Sequence, residues 1–440
     1  FKYLGDRFFR SGYFKRPLVL FVIAFFGVSV YSKIIFPELK INNLSLSFKE
    51  VLPSDSGINP KMGNVLNRVD PRIKHLSKWL LSVGDSVAAA DYDNDGLVDL
   101  FFTFPLKSNN DRNSLYKNMG DFKFKKINLS DISERSRKIE EYGIPTNALF
   151  EDYDNDGDLD LFIVYAFGSP LMMKNLLIET GKASFKNVTT EVGLNEFTNS
   201  ITANYFDFNN DGRLDLLIGN VWPKYLPDYP ANAPRKLNLF KLPKAEYEDD
   251  ERMFNFMHAS WHQADNGGVN NVYIQNKFGK FKKLKGEDIG MPEHYWSLAI
   301  GTADFNQDGL TDIYIANDFG PDNLYYNQGG KTFKKIEGKM FGDIGKDTYK
   351  GMNATASDFD NNGMFDVYVS NVHHEMQAEG SLLWMFKKEK NNHIKIEDQA
   401  TNLGALNENR FGWGASAKDF NNDGHLDIVQ ANGMVDDSID

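Results

Sequence analysis

Residues 91–99 read DYDNDGLVD, and the same order of residues recurs at five later places in the chain. Aspartate stands first, an aromatic residue second, Asp or Asn third and fifth, glycine sixth and aspartate ninth. The first aspartates of successive copies are 61, 55, 97, 54 and 61 residues apart. Self-similarity at a nearly constant period predicts a repeat architecture. We number these copies loop 1 to loop 6.

Positions 1, 3, 5 and 9 of the six loops carry side-chain oxygens. These residues are Asp91, Asp93, Asp95 and Asp99; Asp152, Asp154, Asp156 and Asp160; Asp207, Asn209, Asp211 and Asp215; Asp304, Asn306, Asp308 and Asp312; Asp358, Asp360, Asn362 and Asp366; and Asp419, Asn421, Asp423 and Asp427. Oxygens at alternating positions converge when the chain turns tightly, and glycine at position 6 permits that turn. Calcium accepts six to eight oxygen ligands. The sequence therefore predicts about six structural Ca2+ ions.

Three other interpretations of the loops are weaker. An EF-hand needs Glu at position 12 and helices on both sides, whereas the first two loops have Phe102 and Ile163 there. Magnesium prefers fewer protein ligands and more waters. A solvated acidic turn explains one copy but not six in register. Position 7 varies from Leu97 to Asp158 and Arg213, which indicates a ligand from the backbone carbonyl.

The acidity of the chain matches this metal content. The formal charge is −12 in 440 residues, and six divalent ions would cancel it. An acidic chain argues against a nucleic-acid partner, and the absence of cysteine excludes disulfides and thiolate metal sites.

The number of acids at the ligand positions predicts that loops 1 and 2, with four acids each, bind calcium most tightly. Loop 5, where Asn362 replaces a carboxylate at position 5, is expected to bind most weakly.

The flanks of each loop read as strands. Segments such as DLDLFIVY follow the loops, and an Asn-x-Leu-Tyr strand with a Phe-Lys strand comes next, as in 113–118 with 124–127. Four short strands per repeat predict an all-β fold, a β-propeller of six or seven four-stranded blades. An isolated Phe-Lys signal at 48–51 suggests that this segment closes the ring. Residues 221–267 lack the loop and are expected to be an insertion carrying function.

The N-terminus predicts a membrane anchor. Residues 1–16 contain five basic residues and one acid, and 17–36 are almost uncharged. Positive flanking charge predicts a single-pass protein with 1–16 in the cytoplasm and the propeller, 37–440, in the periplasm or outside the cell. A secretory signal peptide cleaved near 30–32 is the alternative.

With its six loops, its NLYYN-type strands and the segment Phe411-Gly412-Trp413-Gly414-Ala415 before Asp419, the chain resembles the FG-GAP/VCBS repeat β-propeller family, which is related to the integrin α-subunit head. It is most similar to cartilage-acidic-protein-like members with ASPIC/UnbV tails, although no such tail is present here. The resemblance implies a propeller, usually of seven blades, with calcium in the blade loops. It implies adhesion or scaffolding more often than catalysis.

Two functions remain open from the sequence. The first is a protein-interaction or scaffold subunit of a membrane complex. The second is a glycan-binding or glycan-cleaving surface protein that uses Trp222, Trp261 and His373. The catalytic candidates are two groups of histidines, His258 with His262, and His373-His374-Glu375. No recognised catalytic motif accompanies them, so we expect no enzyme activity and no catalytic residue.

Overall fold

The computed structural model describes most of residues 47–433. Residues 1–46 and 434–440 lie outside the description, as do short gaps at 75–76, 78–80, 82, 228, 230–231, 245–247, 249, 253–254, 256–258, 260–264, 348–349, 375–376 and 392. The chain divides into two compact units, Phe1–Lys49 and Glu50–Asp440. Of the first unit only residues 47–49 are described, and they are irregular and exposed.

Six groups of antiparallel strands follow one another in chain order, numbered here as sheet 1 to sheet 6. Sheet 1 contains β1 (Ser86–Ala90), β2 (Asp99–Thr103), β3 (Asn113–Asn118) and β4 (Phe124–Ile127). Sheet 2 contains β5 (Ile144–Glu151), β6 (Asp160–Gly168), β7 (Leu171–Asn175) and β8 (Phe185–Asn187). Sheet 3 contains β9 (Thr198–Phe206), β10 (Asp215–Asn220), β11 (Asn271–Gln275) and β12 (Phe281–Leu284). Sheet 4 contains β13 (Ser297–Ala303), β14 (Asp312–Asn317), β15 (Asn323–Gln328) and β16 (Thr332–Ile336). Sheet 5 contains β17 (Thr355–Ser357), β18 (Asp366–Val369), β21 (Leu382–Lys388) and β22 (Ile394–Asp398). Sheet 6 contains β19 (Val372–His374), β20 (Gln377–Ala378), β23 (Arg410–Lys418) and β24 (Asp427–Asn432).

The helices that the described residues form are short and lie before sheet 1 or in the connections between strands. They are α1 (Pro53–Ser56), α2 (Ser130–Arg137), α3 (Ile139–Tyr142) and α4 (Leu177–Thr180), with 3-10 turns at Val65–Arg68, Pro71–Ile73 and Gly286–Ile289. The predicted all-β fold is confirmed, and the arrangement of its sheets is β-propeller-like. The number of blades stays a prediction.

In sheets 1 to 5 the strands pair with their chain neighbours in the order first, second, third, fourth. The acidic loop joins the first strand to the second, so position 9 of every loop is the first residue of a strand. Two cross-connections modify this plan. Strand β6 also pairs with β9 through Ala166 and Asn199, which links sheets 2 and 3. Strands β19 and β20 leave sheet 5 between its second and third strands, and β19 pairs with β23 of sheet 6.

Hydrophobic packing occurs between successive sheets, which is why the second strands of sheets 2 to 5 are buried on both faces. All nine residues of β6 are buried. The aromatic residue at position 2 of loops 1 to 5 packs into this core: Tyr92 lies with Leu161 and Met173 of sheet 2, and Phe305 with Trp384 and Phe386 of sheet 5. Each of these five loops is therefore anchored in the core between its own sheet and the next one.

The fourth strands form the edges of sheets 1 to 5. Their residues include FKKI in β4, FKKL in β12 and TFKKI in β16. Exposed lysines on an edge strand oppose pairing with other chains, because such pairing would desolvate their charge. This accounts for the recurrent Phe-Lys strand in the sequence.

The predicted insertion lies between β10 and β11, inside sheet 3, and is not a separate sheet in the residues described. Its first part is partly buried: 221–222 and 237–240 are buried, whereas 232–236 are exposed. Trp222, Leu237 and Phe240 pack with Val65 and Ile73 from the N-terminal part of the second unit, and with residues of sheets 2 to 4. This central cluster shows that residues 221–240 contribute to the core, which the expectation of a purely functional insertion did not anticipate.

Two expectations are corrected. Residues 47–52 are irregular and Phe48 is 76% exposed, so the predicted closing strand at 48–51 is wrong. Among the helices that the described residues form, none is long and apolar enough to cross a membrane. The prediction of a single-pass membrane protein is therefore contradicted. The segment on which it rested, 17–36, lies outside the described residues.

Candidate metal centres

The six loops share one set of hydrogen bonds around position 1. In every loop the backbone N–H of position 5 donates to one oxygen of the first aspartate at 3.0–3.1 Å, and the glycine N–H donates to the other at 2.8–2.9 Å. These bonds require positive φ at positions 4 and 6, as in Asn94 (55°) and Gly96 (88°). The left-handed conformation explains Asn or Gln at position 4 and Gly at position 6.

The aspartate at position 9 connects the loop to the third strand. Asp312 accepts the N–H of Phe305 at 3.1 Å and that of Asn327 in β15 at 2.8 Å. Burial raises the pKa of this carboxyl to about 7, and that of Asp160 to about 8. A nearby divalent cation favours the ionised form. A buried carboxylate at this position is therefore suited to a metal ion.

Carboxylates at positions 1, 3 and 9 come together where position 3 is Asp. Ligand oxygens within each of the trios Asp91, Asp93 and Asp99; Asp152, Asp154 and Asp160; and Asp358, Asp360 and Asp366 all lie within 4.8 Å of one another. The Oδ1 atoms of Asp93 and Asp154 are buried and accept no hydrogen bond. Because an unpaired buried oxygen is costly and all the donors are oxygens, these loops fit a calcium ion.

In loops 1 and 2 a lysine from the third strand also contacts the acids. Lys117 in β3 pairs with Asp93, and its Nζ lies 2.8 Å from Asp95 Oδ2. Lys174 in β7 pairs with Asp154 and lies 2.8 Å from Asp156 Oδ2. Sequence reasoning missed both residues, since neither lies within its loop. A usable signal was the Lys-Asn pair that ends both third strands, at 117–118 and 174–175.

Neighbouring loops are tied to one another by amide side chains. Asn155 donates to the carbonyl of Gly212 at 3.2 Å, Gln307 to that of Gly363 at 2.9 Å, and Asn361 to that of Gly424 at 3.0 Å. Each bond runs from position 4 of one loop to position 6 of the next. The loops of these pairs therefore lie side by side.

Each predicted ligand residue lies in its loop in the described structure, and whether it coordinates calcium stays a prediction.

Most of the histidine and glycan-binding candidates lie outside the described residues or have another role. His258, Trp261, His262 and Glu375 lie outside the described residues, and the side chain of His374 is not described. His373 Nδ1 accepts the backbone N–H of Asn409 at 2.9 Å. Trp222 is 2% exposed and stacks on Phe167, so the predicted glycan-facing role of Trp222 is wrong.

A basic cavity opens beside the insertion. Its volume is about 620 Å³, and its lining includes Arg235, Lys236, Lys241, Lys244, Phe197 and Tyr229. The Nζ atom of Lys236 lies 4.8 Å from the centre of the Phe197 ring. Glu140 and Glu141 also line the cavity, and Arg68 pairs with Glu140. Four cations against two acids make the cavity a mainly cationic and aromatic surface on a protein of formal charge −12.

Three stretches of the chain, residues 91–163, 152–218 and 304–369, match the profile of the FG-GAP-like repeat. The chain contains FG-GAP-like repeats. Each stretch begins at position 1 of one loop and ends in the second strand of the following sheet. The matched unit therefore includes two consecutive loops. The resemblance seen in the sequence is confirmed.

Relatives of this FG-GAP-like repeat protein include cartilage acidic protein 1. The mouse protein (Mus musculus) is 30% identical over 146 residues, which cover 32% of this chain and 21% of the relative. The protein of Xenopus tropicalis is 28% identical over 179 residues, 39% of this chain and 26% of the relative. The chain therefore aligns with about a fifth to a quarter of the length of these relatives.

Two solved structures are distantly similar. One, from Agrocybe aegerita, is a lectin described by its specific recognition of non-reducing terminal N-acetylglucosamine; it has a TM-score of 0.44 and 14% identity, with 80% of this chain and 75% of that chain covered. The other is the V. cholerae biofilm matrix protein Bap1, with a TM-score of 0.33, 12% identity and coverage of 78% and 40%. At these values neither structure bears on the function of this chain.

Proposed function

We propose that this FG-GAP-like repeat protein is a calcium-binding, β-propeller-like scaffold that binds a protein partner, and that it is not an enzyme. The observation that carries the proposal is the common geometry of the six loops. Each joins two neighbouring strands of its sheet, and in loops 1 to 5 an aromatic residue anchors it in the core. Calcium in the loops would hold these strand pairs in place, because a metal that binds the folded state stabilises it.

The basic cavity beside the insertion is the surface that we assign to the partner. Four cations, Arg235, Lys236, Lys241 and Lys244, line it together with two aromatic rings. Opposite charges across an interface raise the association rate and select the partner, and aromatic and Arg residues are enriched at interface centres. An acidic segment of a protein partner fits this chemistry.

The test is purification from the native source, with the wild-type chain and two charge-reversal variants. We expect a stoichiometric partner to co-purify in calcium and to be lost in EGTA. The R235E/K236E/K241E/K244E variant should lose the partner. The K387E/K388E/K390E/K395E variant, which reverses four charges around β21 and β22, should retain it.

Calcium itself is tested by melting. EGTA should lower the melting temperature, and calcium but not magnesium should restore it. Unchanged melting in EGTA would contradict the metal part of the proposal. A chain that purifies alone under all conditions, or a partner retained by the cavity variant, would contradict the scaffold part.

A further inference from the structure

Lys117 and Lys174 occupy equivalent places in sheets 1 and 2. Each comes directly before the residue whose backbone N–H donates to the aspartate at position 9, namely Asn118 for Asp99 and Asn175 for Asp160. The ammonium group of each lysine then reaches the carboxylates at positions 3 and 5 of its own loop. Lys174 also lies 3.0 Å from Glu179 Oε1.

Sheets 3, 4 and 5 carry no lysine at this place. The residues before the equivalent N–H donors of sheets 3, 4 and 5 are Ile274, Tyr326 and Met385. The loops of these three sheets have one Asn among positions 3 and 5, whereas loops 1 and 2 have Asp at both. The lysine thus accompanies the fourth aspartate. Four aspartates with one lysine leave the same net charge as three aspartates alone.

The lysine uses ligand atoms that a metal ion would otherwise take. In loop 1, Asp95 Oδ1 accepts the N–H of Leu97 at 2.9 Å and Oδ2 faces Lys117. In loop 2, Asp156 Oδ1 accepts the N–H of Asp158 and Oδ2 faces Lys174. At positions 3 and 5, only the unpaired Oδ1 atoms of Asp93 and Asp154 are therefore free of other partners and open to a metal ion.

We infer that Lys117 and Lys174 act as internal cations that compete with calcium for the carboxylates at position 5. Loops 1 and 2 therefore bind calcium less tightly than their four aspartates predict, and not more tightly than loops 3 to 6. This inference rests on the proposed calcium-binding function. It reverses the order of affinity expected from the sequence, because charge count at the ligand positions sets affinity only when no other cation shares them.

The test replaces both lysines by the residue found in sheet 5. Terbium is a calcium-like probe whose emission tyrosine excites, and position 2 is tyrosine in loops 1 and 2 (Tyr92 and Tyr153) but phenylalanine in loops 3 to 6. The emission that disappears in a Y92F/Y153F variant therefore reports loops 1 and 2. In K117M/K174M, we expect half-saturation of that emission at a concentration on the order of tenfold lower.

The melting temperature is a second readout, and the lysine substitutions should change it in opposite directions without and with calcium. In EGTA the K117M/K174M variant should melt below the wild type, because its carboxylates lose their counter-ion, whereas its gain in melting temperature on adding calcium should be larger. A merely structural lysine would lower both quantities. If the methionine variant fails to fold, K117Q/K174Q is measured in its place.

The matched control is K387M/K388M, which removes two exposed lysines at the end of β21. It should leave terbium half-saturation unchanged. Unchanged or weaker terbium binding by the folded lysine variants would overturn the inference while leaving the proposed function intact. Absence of terbium and calcium binding by the wild-type protein would overturn the proposed function as well.

Discussion

At the scale of single residues, the roles of residues within a loop could be predicted from the sequence, whereas contacts from outside the loop could not. Positions 1, 3, 5, 6 and 9 of each loop could be predicted, because their roles arise within nine residues of chain. Lys117 lies 22 residues after Asp95, and its contact depends on β3 lying beside the loop. Trp222 was assigned to a surface because its segment lacks the loop motif, whereas its burial depends on residues distant in sequence.

Asp347 provides a pH-dependent test away from the loops. Both its oxygens accept the N–H of Asp322, at 3.2 and 3.3 Å, and burial raises its pKa to about 7. The folded state thus binds this proton more tightly than the unfolded state, so the stabilisation is full below about pH 4 and is lost as the pH rises through 7. Asp347→Asn removes this titration and keeps an acceptor oxygen.

At pH 8 in saturating calcium, we expect D347N to have a free energy of unfolding about 1–3 kcal/mol above that of the wild type. At pH 5 the difference should be smaller, because much of the loss occurs between pH 5 and 7. Urea denaturation at both pH values measures the difference, with D288N, an exposed aspartate, as control. Equal losses of stability in D347N and the wild type between pH 5 and 8 would show that Asp347 does not titrate in this range.

At the scale of elements, the third strands of sheets 2, 3 and 4 connect each of these sheets to the loop before it. Asn175 in β7 donates to the carbonyl of Tyr92 at 2.9 Å, Gln275 in β11 to that of Tyr153 at 2.7 Å, and Asn327 in β15 to that of Phe208 at 2.8 Å. The strand itself was predictable from its Asn-x-Leu-Tyr pattern. The bond to the preceding loop was not, because it requires two sheets to be packed in order.

Asn327 is the sharpest place to test this connection. Its side chain is buried, donates to Phe208 and Thr311, and accepts the N–H of Gly330. Asn327→Ala leaves these buried groups unpaired and should lower the free energy of unfolding by about 1–3 kcal/mol. The neighbouring Gln328 is exposed, and Gln328→Ala should cost less than about 0.5 kcal/mol. Similar losses in both variants would mean that the buried bonds contribute little.

At the scale of the whole molecule, the central cluster joins parts of the chain that are far apart in sequence. Trp222 packs against Phe167 of β6 with ring centres 5.1 Å apart, and against Trp296 at 5.8 Å. The repeated loops predict the order of the sheets. They say nothing of this cluster, because its residues follow no repeat.

Trp222→Ala should therefore lower the free energy of unfolding by about 3–5 kcal/mol, the usual cost of removing a large buried aromatic side chain. Tyr225, three residues later, is 43% exposed, and Tyr225→Ala should cost about 1 kcal/mol or less. Guanidinium denaturation of the two variants compares them directly. A Trp222 variant as stable as the Tyr225 variant would show that the insertion does not support the core.

The exchange of strands between sheets 5 and 6 bears on how these two sheets unfold. In a row of repeats that contact only their neighbours, one repeat can open without the next. Here β19 belongs by chain order to sheet 5 and by hydrogen bonding to sheet 6. Separating these sheets would pull β19 out of its pairing with β23. The two sheets should therefore open as one cooperative block, with the amides of both protected from solvent exchange to the same degree.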